Sequence, residues 1–247
     1  MVTKKIRSLF SLTYSYMLGK VVERTKSEVN PCLEVTYING KHMLNSLNAN
    51  YSYGMLYKVF DLEFKRINLK KHTIKDALIL GFGAGSVASL LQEKYKMNCN
   101  IIGVEKDKQV ISLGHKYFNI QRFNNTEIIC DDAYNYMMEN KKHFDLIIID
   151  VYIDNIVPGN MESEKFLQQL KNSLNDKGII IFNKMIFDEE SDKSSKKLYE
   201  TFSKVMPKFQ YHKINKHHTN LMLVYEHNAL NEKNKLSPSI NSLSKMF

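Results

Sequence analysis

The segment Asp76–Tyr95, DALILGFGAGSVASLLQEKY, joins an apolar run to a helix-like run through a turn that contains three glycines. Gly81, Gly83 and Gly85 follow the apolar run directly. Because glycine has no Cβ, the backbone at these positions can adopt positive φ angles and approach a ligand closely. The same pattern also fits a plain strand-to-helix turn, so its interpretation as a nucleotide site depends on the residues that follow.

Downstream of this turn, short apolar runs alternate with amphipathic segments. The predicted strands are ALILGF, CNIIGVE, TEIIC, FDLIIID and GIIIFNK. The predicted helices lie near Ser86–Tyr95, Lys108–Phe118, Ala133–Asn140, Ser163–Leu174 and Lys193–Val205. Continuous Ile- and Leu-rich strands separated by helices predict an α/β fold, in which a Rossmann-like, mostly parallel sheet carries helices on both faces.

The flanking segments predict a chain of three regions. Residues 1–50 are expected to form a small N-terminal β lid, in which Asn39–Gly40 is a favoured two-residue hairpin turn. Residues 51–227 are expected to form the α/β domain, which opens with apolar residues at helical spacing from Met55 to Phe64. This domain ends in an antiparallel hairpin made of FQYHKI and TNLMLVYEH. Residues 228–247 are polar and predict a flexible tail.

Acidic residues end three successive predicted strands beside the glycine turn. Glu105 ends the second strand, at a position where an acid accepts hydrogen bonds from ribose hydroxyls. The pair Asp131–Asp132 follows the third strand, so that one carboxylate can accept from adenine N6 while the other caps the helix that starts at Ala133. Asp150 ends the fourth strand and faces the crevice in which doubly wound sheets bind ligands. Together these acids predict a nucleoside site.

The arrangement favours an S-adenosyl ligand over a dinucleotide. The NAD fingerprint needs a third glycine where this chain has Ser86, and no second mononucleotide half follows Asp150. An S-adenosyl compound has no pyrophosphate and instead needs acids for its ribose, adenine and ammonium groups. We therefore expect the ligand to be S-adenosylmethionine or its decarboxylated form.

Composition narrows the expected partners. The chain has 35 Lys and Arg residues against 26 Asp and Glu residues, a formal net charge of +9, but the basic residues are scattered among acids. This scatter argues against a nucleic-acid partner. The three cysteines form no CxxC pair and the histidines around His217 lack carboxylate neighbours, so no metal site is predicted. The N-terminus lacks a cleavage pattern and no apolar run could span a bilayer, which predicts a cytoplasmic protein without a membrane partner.

With these residues in view, the chain resembles the spermidine synthase family within the class I S-adenosylmethionine-dependent methyltransferase superfamily. The resemblance runs roughly from Val21 to Lys184 and rests on LILGFGAGS, VEKD and DDAYNYMMENKKHFDLIIID. It implies that Asp150 and Tyr53 are the catalytic residues, the first acting on a reacting amine and the second lining the acceptor pocket. It is also compatible with a homodimer. The residues expected to bind the cofactor are Gly81, Gly83, Gly85, Glu105, Asp132, Ala133 and Asp150.

The chain departs from the family pattern at positions that would face a polyamine. Ala84 stands where the family carries an acid in the glycine loop, Gly54 follows the tyrosine, and the lid near Met43 is apolar where a glutamine is expected. Asp154 comes one position later than the family's second aspartate. Because a polycation needs fixed negative partners, these losses favour methyl transfer to a small acceptor.

Two alternatives to methyl transfer remain open at this point. The first is an aminopropyltransferase of the spermidine synthase type, in which Asp154 compensates for the missing acid. The second is a non-catalytic domain that binds a nucleotide or a protein partner. In both enzymatic interpretations Asp150 is the expected general base, because an attacking amine with a pKa of about 10 must lose its proton first.

Overall fold

The computed structural model describes residues 19–47, 50–153, 156–215 and 218–227. In these ranges the strands are β1 (Lys20–Thr25), β2 (Leu33–Ile38), β3 (Lys41–Asn45), β4 (Asn50–Ser52), β5 (Asp76–Leu80), β6 (Asn100–Glu105), β7 (Thr126–Cys130), β8 (Phe144–Ile149), β9 (Leu174–Ile186), β10 (Gln210–Asn215) and β11 (Thr219–Glu226). The α-helices are α1 (Met55–Arg66), α2 (Ser86–Ser89), α3 (Lys108–Phe118), α4 (Ala133–Glu139), α5 (Glu164–Asn172) and α6 (Glu189–Val205). A π-helical turn (Leu90–Lys94) continues α2.

The main sheet has seven strands in the order β10-β11-β9-β8-β5-β6-β7. Strands β9, β8, β5, β6 and β7 run parallel. Strand β11 pairs antiparallel with β9 on one side and with the edge strand β10 on the other. The predicted α/β class and the C-terminal antiparallel hairpin are therefore confirmed. The chain winds outward from β5 to β7 and then returns to β8 on the other side of β5. This reversal opens a crevice at the carboxyl ends of β5 and β8, the usual ligand position in such sheets.

The helices cover both faces of this sheet, as the sequence predicts. On one face Ile79, Ile148 and Ile181 pack against residues of α1, α2 and α3. On the other face Leu80 and Ile149 pack against residues of α4, α5 and α6. Alternate residues of each strand thus enter opposite cores, which explains why the strands read as continuous apolar runs.

The N-terminal lid is a separate antiparallel sheet in the order β1-β2-β3-β4. Its central hairpin turns at Asn39–Gly40, whose φ angles of 52° and 74° are those of the tight turn expected for this dipeptide. Strand β4 lies across the boundary predicted between residues 50 and 51, and the division of the chain into domains stays a prediction. The predicted tail at 228–247 lies outside the described residues.

Helix α6 begins at Glu189 rather than at Lys193 as predicted. Asp188 caps it: its Oδ1 accepts from the Ser191 amide at 2.8 Å, and the Ser191 hydroxyl accepts from the Asp188 amide at 2.9 Å. The polar residues before Lys193 form the first turn of the helix, because this reciprocal cap satisfies its free amides.

A buried ion pair beneath the crevice fastens β9 to the neighbouring helical layer. Lys184 Nζ lies 2.5 Å from Glu162 Oε1 and 2.9 Å from the Ser194 hydroxyl. The Lys184 side chain is only 5% exposed. We expect Glu162→Ala to lower the free energy of unfolding by about 3–5 kcal/mol, because it leaves a buried ammonium without its counter-charge. Urea denaturation measures this loss.

A matched control for that substitution lies two residues away in the chain. Glu164 pairs with Lys204 at 3.4 Å, and both side chains are more than half exposed. Because exposed pairs contribute little, Glu164→Ala should change the free energy of unfolding by less than about 1 kcal/mol. Equal losses for the two variants would contradict the role assigned to the Lys184–Glu162 pair.

Candidate nucleoside and amine site

A cavity occupies the crevice at the carboxyl ends of β5, β6 and β8. It holds about 780 Å³ of empty space, open solvent at its mouth included. Six of the residues predicted to bind the cofactor line it: Gly81, Gly83, Glu105, Asp132, Ala133 and Asp150. The topology therefore brings together acids that are far apart in the sequence.

The first two glycines of the turn form the floor of the cavity. Gly81 has a φ of 85°, and a Cβ added there would lie 2.2 Å from the Asp150 carbonyl oxygen. The turn is thus pressed against the end of β8 in a way that only glycine allows. Gly83 follows with a φ of 57°, and its amide donates to Glu105 Oε2 at 2.9 Å.

The third glycine of the turn has a different environment, and its role in cofactor binding stays a prediction. Gly85 is not among the residues that line the cavity in the described part of the chain. A Cβ added to it would lie 2.6 Å from the Phe123 ring and 3.4 Å from Ile120. Gly85 therefore allows close packing at the start of α2, because Phe123 and Ile120 occupy the space that its side chain would need.

Glu105 is buried in the wall of the cavity. Its Oε2 accepts from the Gly83 amide at 2.9 Å and its Oε1 accepts from the Asp107 amide at 3.0 Å. Burial raises the pKa of Glu105 to about 7, although these amide hydrogen bonds oppose the rise. The carboxylate ties the glycine turn to the end of β6. The ribose contact assigned to Glu105 stays a prediction.

Asp132 caps α4 and lines the cavity at the same time. Its Oδ1 accepts from the amides of Tyr134 at 2.9 Å and Asn135 at 3.3 Å, and its Oδ2 lies 3.0 Å from Lys106 Nζ. Partial burial would raise its pKa, but Lys106 and the amides outweigh burial and hold the pKa below the usual value. One aspartate thus serves as cap and as cavity wall, whereas the sequence suggested one aspartate for each task. Ala133 lies beside it on the wall.

Asp150 follows β8 directly and is the third acid that lines the cavity. It is buried, and its Oδ1 accepts from Asn183 Nδ2 at 2.8 Å. Burial raises the pKa of Asp150 to about 7; the Asn183 hydrogen bond opposes this rise and the charge of Glu105 adds to it. A carboxyl group that titrates near neutrality can exchange a proton with a bound ligand.

Two asparagines and two tyrosines that line the cavity were not predicted from the sequence. Asn183 Oδ1 accepts from Asn220 Nδ2 at 3.0 Å, and both asparagines line the cavity. The Tyr51 hydroxyl donates to the Tyr152 carbonyl oxygen at 2.6 Å, and these residues also belong to the lining. A polar residue inside the apolar run GIIIFNK was a usable signal for Asn183. Asn220 lies on a strand that has no counterpart in a simple parallel sheet.

Tyr53 is not among the residues that line this cavity, and its catalytic role stays a prediction. Its ring lies between those of Tyr57 and Phe118, with centroid distances of 6.2 and 5.3 Å and nearly parallel planes. Its hydroxyl accepts from Arg122 Nη2 at 3.1 Å. Tyr53 has a φ of 64°, so the chain turns there before α1, and Tyr51 is the tyrosine of this segment that reaches the cavity.

Two of the residues that depart from the family pattern are Ala84 and Asp154, and the structure describes only the first of them. Ala84 is fully buried in the core and does not line the cavity, and its amide donates to the Ser52 hydroxyl at 3.1 Å. In this chain, position 84 therefore packs against its neighbours instead of facing a ligand. Asp154, the residue expected to replace a missing acid, lies outside the described residues.

Fold and site together define a Rossmann-like α/β protein with an acid-lined cavity at the topological switch point. Residues 65–233 match the family model described as the spermine/spermidine synthase domain. This match covers more than half of the chain, and the chain belongs to that family. The predicted class, a transferase of the spermidine synthase-like type, is confirmed at the level of the family.

Individual relatives agree with this assignment. The chain is similar to the polyamine aminopropyltransferase of Buchnera aphidicola subsp. Acyrthosiphon pisum, with 37% identity over 47% of this chain and 42% of that protein. It is 31% identical to the enzyme of the same description from Vibrio vulnificus over 46% of this chain and 40% of the relative. The matched segment thus spans less than half the length of either relative.

A solved structure shows the same fold. A spermidine synthase in complex with the transition-state analogue AdoDATO superposes with a TM-score of 0.63 over 84% of this chain and 73% of that one, at 20% identity.

The expectation of methyl transfer is wrong. The family and the relatives named above are described by aminopropyl transfer and by spermidine synthesis. The expectation rested on Ala84 as a lost ammonium anchor. It failed because position 84 of this chain is buried in the core, so its side chain says nothing about the charge that the cavity offers.

Two negative findings hold for the described ranges of the chain. Within them, no helix combines the length and apolar character needed to cross a membrane. The same ranges hold no group of three or more His, Cys, Asp or Glu side chains arranged to bind a metal ion.

Proposed function

We propose that this protein transfers the aminopropyl group of decarboxylated S-adenosylmethionine to a small amine. Family membership supports the reaction class. The observation that carries the proposal for this chain is the pair of buried carboxyl groups, Glu105 and Asp150, that line one cavity, in which burial and then the charge of Glu105 raise the pKa of Asp150.

The charge of the cavity favours the decarboxylated donor. Of the described lining residues, Lys106 is the basic one, and its ammonium already lies 3.0 Å from Asp132 Oδ2. The carboxylate of S-adenosylmethionine would therefore enter a site that holds three acids and one paired cation. A buried anion without a cationic partner is costly, whereas the decarboxylated form brings a sulfonium and an ammonium and no carboxylate.

The nucleoside half of the donor fits the part of the cavity nearest the glycine turn. Gly81 and Gly83 leave space for close approach because they carry no Cβ. In the proposal Glu105 accepts from the ribose hydroxyls, while Asp132 and Ala133 contact the adenine. Asp132 is suited to accept from an amino group, since its pKa is held low and the carboxylate stays ionised.

The reaction needs orientation and one proton acceptor. The acceptor nitrogen attacks the aminopropyl carbon attached to the sulfonium; the C–N bond forms, the C–S bond breaks, and its electron pair stays on sulfur as methylthioadenosine leaves. The attacking amine gives up one proton, and Asp150 is the group proposed to receive it. A general base of this kind contributes about 10²–10⁴-fold.

Calorimetric titration of the purified protein tests the choice of donor. We expect decarboxylated S-adenosylmethionine to bind at least about tenfold more tightly than S-adenosylmethionine, because only the latter brings a carboxylate to Glu105 and Asp150. Methylthioadenosine, which has neither the carboxylate nor the positive charges of these donors, should bind with intermediate affinity. Tighter binding of S-adenosylmethionine, or binding of NAD alone, would contradict the proposal.

Donor binding should also depend on pH. The pKa values of Glu105 and Asp150 are both raised to about 7. Both carboxyl groups are therefore protonated and uncharged when the pH is well below 7. The donor cation binds the ionised form better. We therefore expect the affinity for decarboxylated S-adenosylmethionine to rise as pH increases from about 5.5 to 8.5, with proton release on binding near neutrality. Titrations in buffers of different ionisation enthalpy measure that release, and methylthioadenosine, which carries no charge, should show a smaller dependence.

A further inference from the structure

Three polar side chains form a line across the strands β11, β9 and β8. Asn220 Nδ2 donates to Asn183 Oδ1 at 3.0 Å, and Asn183 Nδ2 donates to Asp150 Oδ1 at 2.8 Å. These strands are neighbours in the sheet, and all three side chains are buried by at least nine-tenths. The line therefore lies in a water-poor environment in which hydrogen-bond geometry is tightly constrained.

The direction of the two hydrogen bonds is set by chemistry. An ionised carboxylate only accepts, so the Asn183 amide must turn its nitrogen toward Asp150. Its oxygen then faces away from Asp150 and needs a donor, which Asn220 Nδ2 supplies. Without that donor, the Asn183 amide could rotate and present its oxygen to the carboxylate, which would repel it. Asn220 thus fixes the orientation of the Asn183 amide, which in turn donates to Asp150.

We propose that Asn220 is a positioning residue for aminopropyl transfer, which acts through Asn183 to hold the Asp150 carboxylate in the orientation that receives the proton of the acceptor amine. The proposal rests on the function proposed above. The line engages Asp150 Oδ1 and directs Oδ2 to the reacting amine.

The line also affects the ionisation of Asp150. The groups that face this carboxyl are Glu105 from the end of β6 and the Tyr152 hydroxyl, with the Lys106–Asp132 pair on the same cavity wall. Burial and Glu105 both favour the protonated form, and the Asn183 hydrogen bond is the opposing influence. Loss of the line should therefore leave Asp150 protonated to a higher pH, so that donor affinity rises with pH only at more alkaline values.

The test compares Asn220→Leu, which keeps the volume but not the donor, with Thr219→Val. Thr219 is the neighbouring residue on β11, and its hydroxyl donates to Asn215 rather than toward Asp150. We expect Asn220→Leu to lower kcat by about 10- to 100-fold with little change in KM for the donor, and to move the pH dependence of donor binding to higher pH. Thr219→Val should change neither quantity, and Asn220→Ser, which retains a donor, should recover part of the lost kcat.

The double variant Asn220→Leu, Asp150→Asn separates positioning from general damage. If Asn220 acts through Asp150, the double variant is no slower than Asp150→Asn alone, because the group that it positions is already lost. Additive losses, an unchanged pH dependence, or a kcat equal to that of the unmodified protein would overturn the proposal. An inactive unmodified protein would instead overturn the proposed function. If Asn220→Leu does not fold, Asn220→Ser carries the same comparisons with a smaller expected loss.

Discussion

Replacing Asp150 by asparagine is expected to lower kcat for aminopropyl transfer by about 10²–10⁴-fold. The substitution keeps the shape of the side chain at the end of β8 but removes the carboxylate that is proposed to receive the proton. Asn183 would still have an acceptor in the new amide oxygen, so the fold around the site should persist. Initial rates with decarboxylated S-adenosylmethionine and a saturating amine measure the effect.

The binding side of this prediction distinguishes chemistry from cavity damage. Because the nucleoside is held by the glycine turn, Glu105 and Asp132 in the proposal, methylthioadenosine should bind the Asp150→Asn variant nearly as well as the unmodified protein. Asp176→Asn is the matched control, since that carboxylate is 92% exposed and lies outside the cavity. An Asp150→Asn variant with an unchanged kcat would show that another group takes the proton.

Gly81→Ala is expected to abolish ligand binding because it displaces the backbone of the glycine turn. The new Cβ would lie 2.2 Å from the Asp150 carbonyl oxygen, at a residue whose φ of 85° an L side chain rarely adopts. Relieving the overlap requires β5 and β8 to separate at their carboxyl ends. We expect a loss of about 2–5 kcal/mol in the free energy of unfolding and no measurable methylthioadenosine binding.

Gly159 offers a matched control for this substitution. No atom lies within 4 Å of a Cβ added at Gly159, and its φ is not in the left-handed region. Gly159→Ala should therefore leave the free energy of unfolding within about 0.5 kcal/mol of that of the unmodified protein and keep nucleoside binding. If Gly81→Ala binds methylthioadenosine as tightly as Gly159→Ala does, the contact between the glycine turn and β8 is not what shapes the cavity.

The strands and the acids of the site could be predicted because both follow from one topological rule. Runs such as FDLIIID are buried on both faces, and the residue after each run reaches the same edge of the sheet. This rule places Glu105, Asp132 and Asp150 together although they are far apart in the chain. It does not depend on how any single side chain turns.

The direction of a side chain could not be predicted where it depends on distant neighbours. Gly81 and Gly85 look alike in the sequence, yet only the first lies on the cavity, because Phe123 packs against the second. Tyr51 and Tyr53 are two residues apart, and the positive φ at Tyr53 sends its ring toward Phe118. Ala84 misled the functional prediction for the same reason, since a buried position was taken for a ligand-facing one.

The pairing of Asn183 with Asn220 could not be predicted from the sequence. Asn183 breaks an apolar strand, but its partner comes from β11, which joins the sheet antiparallel and outside the order that parallel strands predict. The geometry that orients Asp150 therefore depends on the C-terminal hairpin as well as on the nucleotide-binding core.

Product analysis tests the central claim most directly. The purified protein is incubated separately with decarboxylated S-adenosylmethionine and with S-adenosylmethionine, each with a panel of small primary amines and diamines, and the nucleosides are identified by mass spectrometry. We expect amine-dependent release of methylthioadenosine from the decarboxylated donor, and no S-adenosylhomocysteine from S-adenosylmethionine. Formation of S-adenosylhomocysteine without methylthioadenosine would contradict it.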